Sequence, residues 1–261
     1  MGVDFIDYII ADEFIVPNGD DVHYSERVVR LPCFQVNDSK RRIAERTPTR
    51  LEAGLPEKGV VFCCFNNSVK INPTMFDVWM RLLRSIDGSV LWLLRANPSA
   101  EHNLRREAEL RGIDNHRLVF ADRVALDEHL ARHRIADLFV DTLPYNAQTT
   151  ASDALWAGLP VLTCVGRAFA SRVAGSLLNA SNLSELVTSS LAEYEVKATE
   201  LARNPALLQE VREKLARGRV GAPLFQTDRF RRHIEAAFAT MLEIHRRGEK
   251  PRAFAIPSLQ C

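Results

Sequence analysis

The chain has 261 residues, enough for one large domain or one domain with an appendage. Hydrophobic residues make up 46% and charged residues 26%, which excludes wholesale disorder. With 34 Lys and Arg against 33 Asp and Glu, the formal net charge of +1 gives no global pull toward nucleic acid or an anionic membrane, so any anion site must be local.

The first residues, MGVDFIDYII, carry Asp4 and Asp7 and no basic segment, unlike a signal peptide. Residues 5–16 are β-prone and end at Pro17. Residues 17–59 turn polar, with Pro17, Pro32, Pro48 and Pro56 and a basic cluster of Lys40, Arg41 and Arg42. Residues 1–59 hold too few apolar side chains for a core of their own and read as an appendage and linker. From Val60 the pattern changes. The run 60–65 (VVFCCF) is continuously apolar, as in a strand buried on both faces. Pro73 opens a helix along which Phe76, Trp79, Leu82, Leu83 and Ile86 recur at helical spacing. Asp87 and Gly88 stop it. Apolar runs at 90–94, 117–121, 137–141 and 161–165 follow, separated by helical patterns near 99–111, 127–134 and 150–157, the last closed by Gly158. Beyond 168 the pattern is helical at 168–179, 191–203, 205–217 and 227–247. Five buried strands alternating with helices predict an α/β fold: a doubly wound, Rossmann-like parallel sheet over 60–261 with a helical C-terminal region.

No apolar run reaches membrane-spanning length. The five cysteines are odd in number and form no C-x-x-C pair. Cys63 and Cys64 are adjacent, while Cys33, Cys164 and Cys261 stand apart, which fits reduced thiols in a soluble cytoplasmic protein.

In open parallel sheets, ligands bind beyond the carboxyl ends of the strands. The loops there carry Asn66, Asn67, Ser68 and Lys70 after the first run, RVALDEHLARH after the third, and TLPYNAQTTASD after the fourth. Thr149 and Thr150 at a helix start offer hydroxyls and free N–H groups at the positive end of the helix dipole, a site for an anion. Thr150 and Asp153 are equally spaced as a capping box that needs no ligand. Lys70 is either a point charge for a diphosphate or a solvated surface lysine. His129 and Arg132 share a helix face and either serve a base or decorate the surface. Asp137, Asp141 and Asp153 read as strand-end and capping residues. Glycine-rich dinucleotide and Walker fingerprints, H-E-x-x-H and G-x-S-x-G are absent, and His129 with His133 lacks an acidic or thiol partner for a metal.

Several stretches together resemble the protein O-GlcNAc transferase family, including its SPINDLY-like members. They are F-x-x-F-N-N-x-x-K-I-N-P (62–73), S-V-L-W-L-L-R (89–95), A-D-L-F-V-D-T (136–142) and Y-N-A-Q-T-T-A-S-D-A-L-W-A-G-L-P-V-L-T (145–163), then F-A-S-R-V-A-G-S-L-L (169–178) and P-L-F-x-T (223–227). The resemblance implies the donor-binding C-terminal lobe of a two-lobed GT-B glycosyltransferase. Such an enzyme is inverting and metal-independent, and moves N-acetylglucosamine from UDP-GlcNAc to protein Ser or Thr hydroxyls. It further implies that residues 1–59 are the end of an N-terminal lobe, that the rest of that lobe and a TPR region are partners lying elsewhere, and that this chain alone binds UDP but transfers poorly. By position, Lys70 matches the pyrophosphate lysine, and Asn67 falls where a glutamine meets the phosphate. Ala125, His129 and Arg132 fall on the uracil-binding segment. Thr149 and Thr150 match the phosphate-binding threonines, and Asp153 the ribose-binding aspartate. Gln148 stands where family members carry histidine, and no lysine precedes His129 as a ribose contact. No catalytic base is assigned. Three other readings are a GDP-fucose-dependent protein O-fucosyltransferase, a nucleotide-binding module without activity, and a sugar-nucleotide epimerase.

Overall fold

The computed structural model describes residues 2–219 and 221–258; Cys261 lies outside them. Two short strands come first, β1 (Tyr8–Ala11) and β2 (Arg27–Arg30). After a long irregular segment come β3 (Val61–Cys64), α1 (Pro73–Ser85), β4 (Val90–Leu94), α2 (Pro98–Leu110), β5 (Leu118–Ala121) and α3 (Leu126–Arg132). The alternation continues through β6 (Leu138–Val140), α4 (Thr149–Ala157), β7 (Val161–Cys164), α5 (Val173–Ala180) and β8 (Val187–Thr188). Helices α6 (Leu191–Arg203), α7 (Pro205–Gly218) and α8 (Thr227–Arg246) and strand β9 (Phe254–Ala255) close the described chain.

The strands β5-β4-β3-β6-β7-β8 form one parallel sheet in that order. The chain steps one way from β3 to β5, then returns to the other side of β3 and steps outward to β8. This is the doubly wound order with its switch point between β3 and β6. Right-handed crossovers then put α1 and α4 on opposite faces of the sheet. Burial on both faces explains the continuous apolar runs: all four residues of β3 and of β7 are buried. Helix α1 starts where expected because Pro73 follows Asn72, whose side chain accepts from Met75 N at 3.0 Å. Its buried face carries Met75, Phe76, Val78, Trp79, Met80, Leu82 and Leu83, packed into the main core. Gly158 ends α4 at φ 87°, a left-handed position that favours glycine.

Three details depart from the sequence reading. The helix expected over 168–179 is a 3-10 turn at Phe169–Ser171 followed by α5, broken at Arg172. The Arg172 side chain there donates to Phe14 O at 2.7 Å and Gly166 O at 3.1 Å. Strands β2, β8 and β9 were not expected. Finally, β1, β2 and β9 form a second parallel sheet, so the last described strand pairs with the N-terminal region. Val29, Leu31 and Ile256 share a small core there with Ala237, Phe230, Ile234 and Met241 of α8. No helix among the described residues is long and apolar enough to cross a membrane.

Candidate functional site

The loops after β3 and β6 meet at the switch point. Asn66, 2% exposed, donates through its amide to Thr142 Oγ1 at 2.8 Å and to Asp141 Oδ1 at 3.2 Å. Its carbonyl oxygen accepts a short hydrogen bond from Thr150 Oγ1 at the start of α4. Asn67 beside it is exposed and caps the 3-10 turn that presents Lys70, accepting from Val69 N at 3.2 Å. Lys70 is half-buried: Nζ donates to Asn146 O at 2.8 Å and lies 4.1 Å from the centre of the Tyr145 ring. Burial pulls its pKa below the ordinary lysine value, and the Asp141 charge opposes that pull. A solvated surface lysine has no such partners.

Helix α4 begins at Thr149 with Gln148 as its N-cap, and no side chain caps it. The capping box expected of Thr150 and Asp153 does not form. Thr150 turns to Asn66, and Asp153 turns to Arg41. The N–H groups of the first turn are therefore left without side-chain acceptors, at the positive end of the helix dipole. Thr149 is exposed beside them, and Gln148 is half-buried.

His129 and Arg132 do come together, but not as surface residues. Arg132 is 6% exposed, with its guanidinium 4.6 Å from the Phe65 ring centre and 6.0 Å from that of Trp92. It donates to Asp122 O at 2.6 Å and closely approaches His129 Nδ1. The half-buried His129 ring lies 5.2 Å from Phe65 and 4.8 Å from His133. Desolvation, then the Arg132 charge, push the His129 pKa down to about 4, so its ring is neutral near pH 7. Ala125, exposed, precedes α3 as its N-cap. Phe65, which the His129 ring approaches, immediately precedes Asn66 in the chain.

The polar segment after β2 straps this edge. Asn37, 2% exposed, donates to Ser152 O at 2.6 Å and Ser152 Oγ at 2.7 Å. Arg41 forms a close ion pair with Asp153 and donates to Asn37 Oδ1 at 2.7 Å, while its carbonyl accepts from Trp156 Nε1 at 3.1 Å. Ala44 N donates to Asp127 O at 3.1 Å, tying the strap to α3 as well. Desolvation raises the Asp153 pKa, and Arg41 opposes it. Replacing Arg41 with Ala strands a carboxylate whose side chain is only 7% exposed. We expect a loss of about 2–4 kcal/mol in urea unfolding at neutral pH. The deficit should shrink as pH falls into the acid range, because burial raises the pKa of an unpartnered carboxylate, which then takes up a proton. A loss independent of pH would mean that packing, not charge, holds the strap. Sequence spacing signalled neither Arg41 nor Asn37, and it marked Asn66 as a loop residue without its partners. The long-range partners of the three lie between 75 and 115 residues away along the chain.

Comparisons with known proteins identify the family. Residues 40–234 match glycosyl transferase family 41. The probable UDP-N-acetylglucosamine–peptide N-acetylglucosaminyltransferase SEC of Arabidopsis thaliana is 37% identical over 98% of this chain. The SPINDLY protein of Hordeum vulgare, given the same probable activity, is 28% identical over 96% of it. Among solved structures, a mutant of the Thermobaculum terrenum O-GlcNAc transferase superposes with a TM-score of 0.75 at 32% identity, over 92% of this chain. The chain spans 27% of the length of each plant relative and 44% of the bacterial structure. Its architecture is that of the Rossmann-like lobe of a GT-B glycosyltransferase. On a match covering most of its length, the chain belongs to glycosyl transferase family 41.

Proposed function

We propose that this chain is the donor-binding half of a protein O-GlcNAc transferase, an inverting enzyme that uses UDP-N-acetylglucosamine and no metal. The observation that carries the reading is the Lys70 ammonium bonded to Asn146 O at the switch point, in the same loop that leads into the uncapped start of α4. The neutral His129 ring packed near Phe65, the residue before Asn66, supports a place for the base. The names of the similar proteins, both peptide N-acetylglucosaminyltransferases, support the donor and a protein acceptor.

In this mechanism an acceptor hydroxyl oxygen bonds to the anomeric carbon as the bond to the diphosphate breaks, and the hydroxyl proton passes to water. The electron pair passes to the diphosphate. Lys70, Gln148, Asn67, Thr149, Thr150 and the α4 dipole stabilise that charge, as a fixed cation with oriented dipoles. His129 and Ala125 take the base, Arg132 holds His129 in place, and Asp153 meets the ribose beside Arg41. The rest of an N-terminal lobe and a TPR region are the proposed intramolecular partners. Cys33, Cys63, Cys64 and Cys164 are free and buried, which supports a reducing cytoplasmic setting.

Among the described residues, no group of three or more His, Cys, Asp or Glu could hold a metal ion. UDP affinity measured by calorimetry in EDTA, and again with magnesium or manganese, should agree within about threefold. A large gain with metal would overturn the reading of Lys70 as the charge-neutralising device. In the same titrations UDP should bind more tightly than GDP; the reverse order would overturn the donor and favour a fucosyl nucleotide.

A further inference from the structure

Asp141 follows β6 at the switch point, 1% exposed, and it touches no position assigned to the donor. Its Oδ1 accepts from Thr142 N at 2.7 Å, Ala147 N at 2.6 Å and Asn66 Nδ2 at 3.2 Å. Its Oδ2 accepts from Thr163 Oγ1 of β7 at 2.7 Å. Two of these ties lead to residues assigned to the donor. Ala147 immediately precedes Gln148 and α4, and Asn146 within the same loop accepts from Lys70 Nζ. Asn66 holds Thr150. One carboxylate thus sets the positions of the cation, the helix start and the loop between them.

The contacting groups are all neutral donors. An amide would serve the same geometry, with its oxygen replacing Oδ1 and its NH2 donating to Thr163 Oγ1 after the hydroxyl turns. The hydrogen bonds therefore do not require a charge. Enclosing an ionised carboxylate without a contacting cation is costly.

We propose that Asp141 is the positioning residue of the diphosphate site and that its carboxylate takes up a proton when the nucleotide sugar binds. This rests on the donor reading above. Four titratable groups act on Asp141 or feel it from the packed elements: Lys70 after β3, Cys64 on β3, Cys164 on β7 and Tyr194 on α6. Burial pushes both thiols and the phenol upward, so they stay neutral, and Lys70 is the cation of the set. Desolvation raises the Asp141 pKa to about 6, against the lowering effect of its hydrogen bonds. A diphosphate seated on Lys70 adds negative charge and engages the cation that favours the carboxylate. Both effects favour the neutral acid, so its pKa rises further in the complex. Affinity is then highest below the free-state value of about 6 and falls as pH rises through it.

UDP-N-acetylglucosamine is the suitable probe, since both phosphates of its diphosphate are esterified and neither titrates near neutrality. Its affinity should weaken about threefold to tenfold from about pH 5 to about pH 8. Calorimetry at neutral pH in two buffers of different ionisation heat should show net proton uptake. Asp141→Asn should bind with a flat pH profile at close to the low-pH affinity of the native chain. Thr163→Val removes one hydrogen bond to the carboxylate and should move the midpoint of the profile to higher pH, which keeps the test open if Asp141→Asn does not fold. A flat profile in the native chain overturns the proposal and leaves the donor reading standing. So does a slope that survives in Asp141→Asn, or a midpoint unmoved by Thr163→Val. No binding at any pH overturns both.

Discussion

Lys70→Ala is expected to weaken UDP binding about ten- to a hundredfold while leaving uridine binding nearly unchanged, since a charge-assisted hydrogen bond is worth roughly 1.5–3 kcal/mol. The asymmetry follows from position: Nζ is held over Tyr145 and against Asn146 O, where a diphosphate would replace the carbonyl as its partner. His129→Ala should instead weaken UDP and uridine alike, because its ring serves the base. With a pKa near 4, His129 acts as a neutral ring, so its contribution should stay constant above about pH 5. Calorimetric titration of both ligands against both variants checks the assignment. Equal losses of UDP and uridine on removing Lys70 would show that the lysine supports the loop rather than the phosphate. No loss of either would return it to the surface.

The largest effect on stability is expected at a position far from any ligand. Gly59 has φ +102° just before β3, and a Cβ there would meet Gly88 O at 2.3 Å and Gly88 C at 3.0 Å. Both obstacles are backbone, at the point where β3 and β4 begin to pair through Val90 N and Val60 O at 2.9 Å. Gly59→Ala therefore combines an unfavourable backbone region with a clash that no rotamer relieves, and should cost about 3 kcal/mol or more. For a chain of this size that lowers Tm by roughly 6–12 °C. Below the transition, the folded variant should bind UDP as the native chain does, the opposite pattern to Lys70→Ala. A Tm shift of less than about 2 °C would show that the two loops can separate without penalty.

The split between local and tertiary information can be followed residue by residue. The runs at 60–65, 90–94, 117–121 and 161–165 became β3, β4, β5 and β7, because a strand covered on both faces needs apolar residues without alternation. Pro73 marked the start of α1, since its fixed φ acts within one turn. Strands β2, β8 and β9 left no such trace. They exist by pairing with neighbours that the chain brings in from elsewhere.

At the site the same rule separates what was legible. A lysine and two threonines after strand ends could be picked out as candidates for an anion, because residue type and strand position are local properties. Their surroundings could not. The spacing of Thr150 and Asp153 satisfied a capping box, yet stronger partners came from Asn66 and Arg41 and the box is not made. His129 and Arg132 share a helix face, but Arg132 is buried because Phe65 and Trp92 provide aromatic faces for its cation. Asp141 read as an ordinary strand end, since nothing in DLFVD reveals that donors from 66, 142, 147 and 163 converge on one carboxylate. The sequence by itself determined the elements and the chemical types available at their ends. The strand order, which set β6 beside β3, decided which of those types meet, because adjacency in a parallel sheet depends on the path of the whole chain rather than on any local pattern.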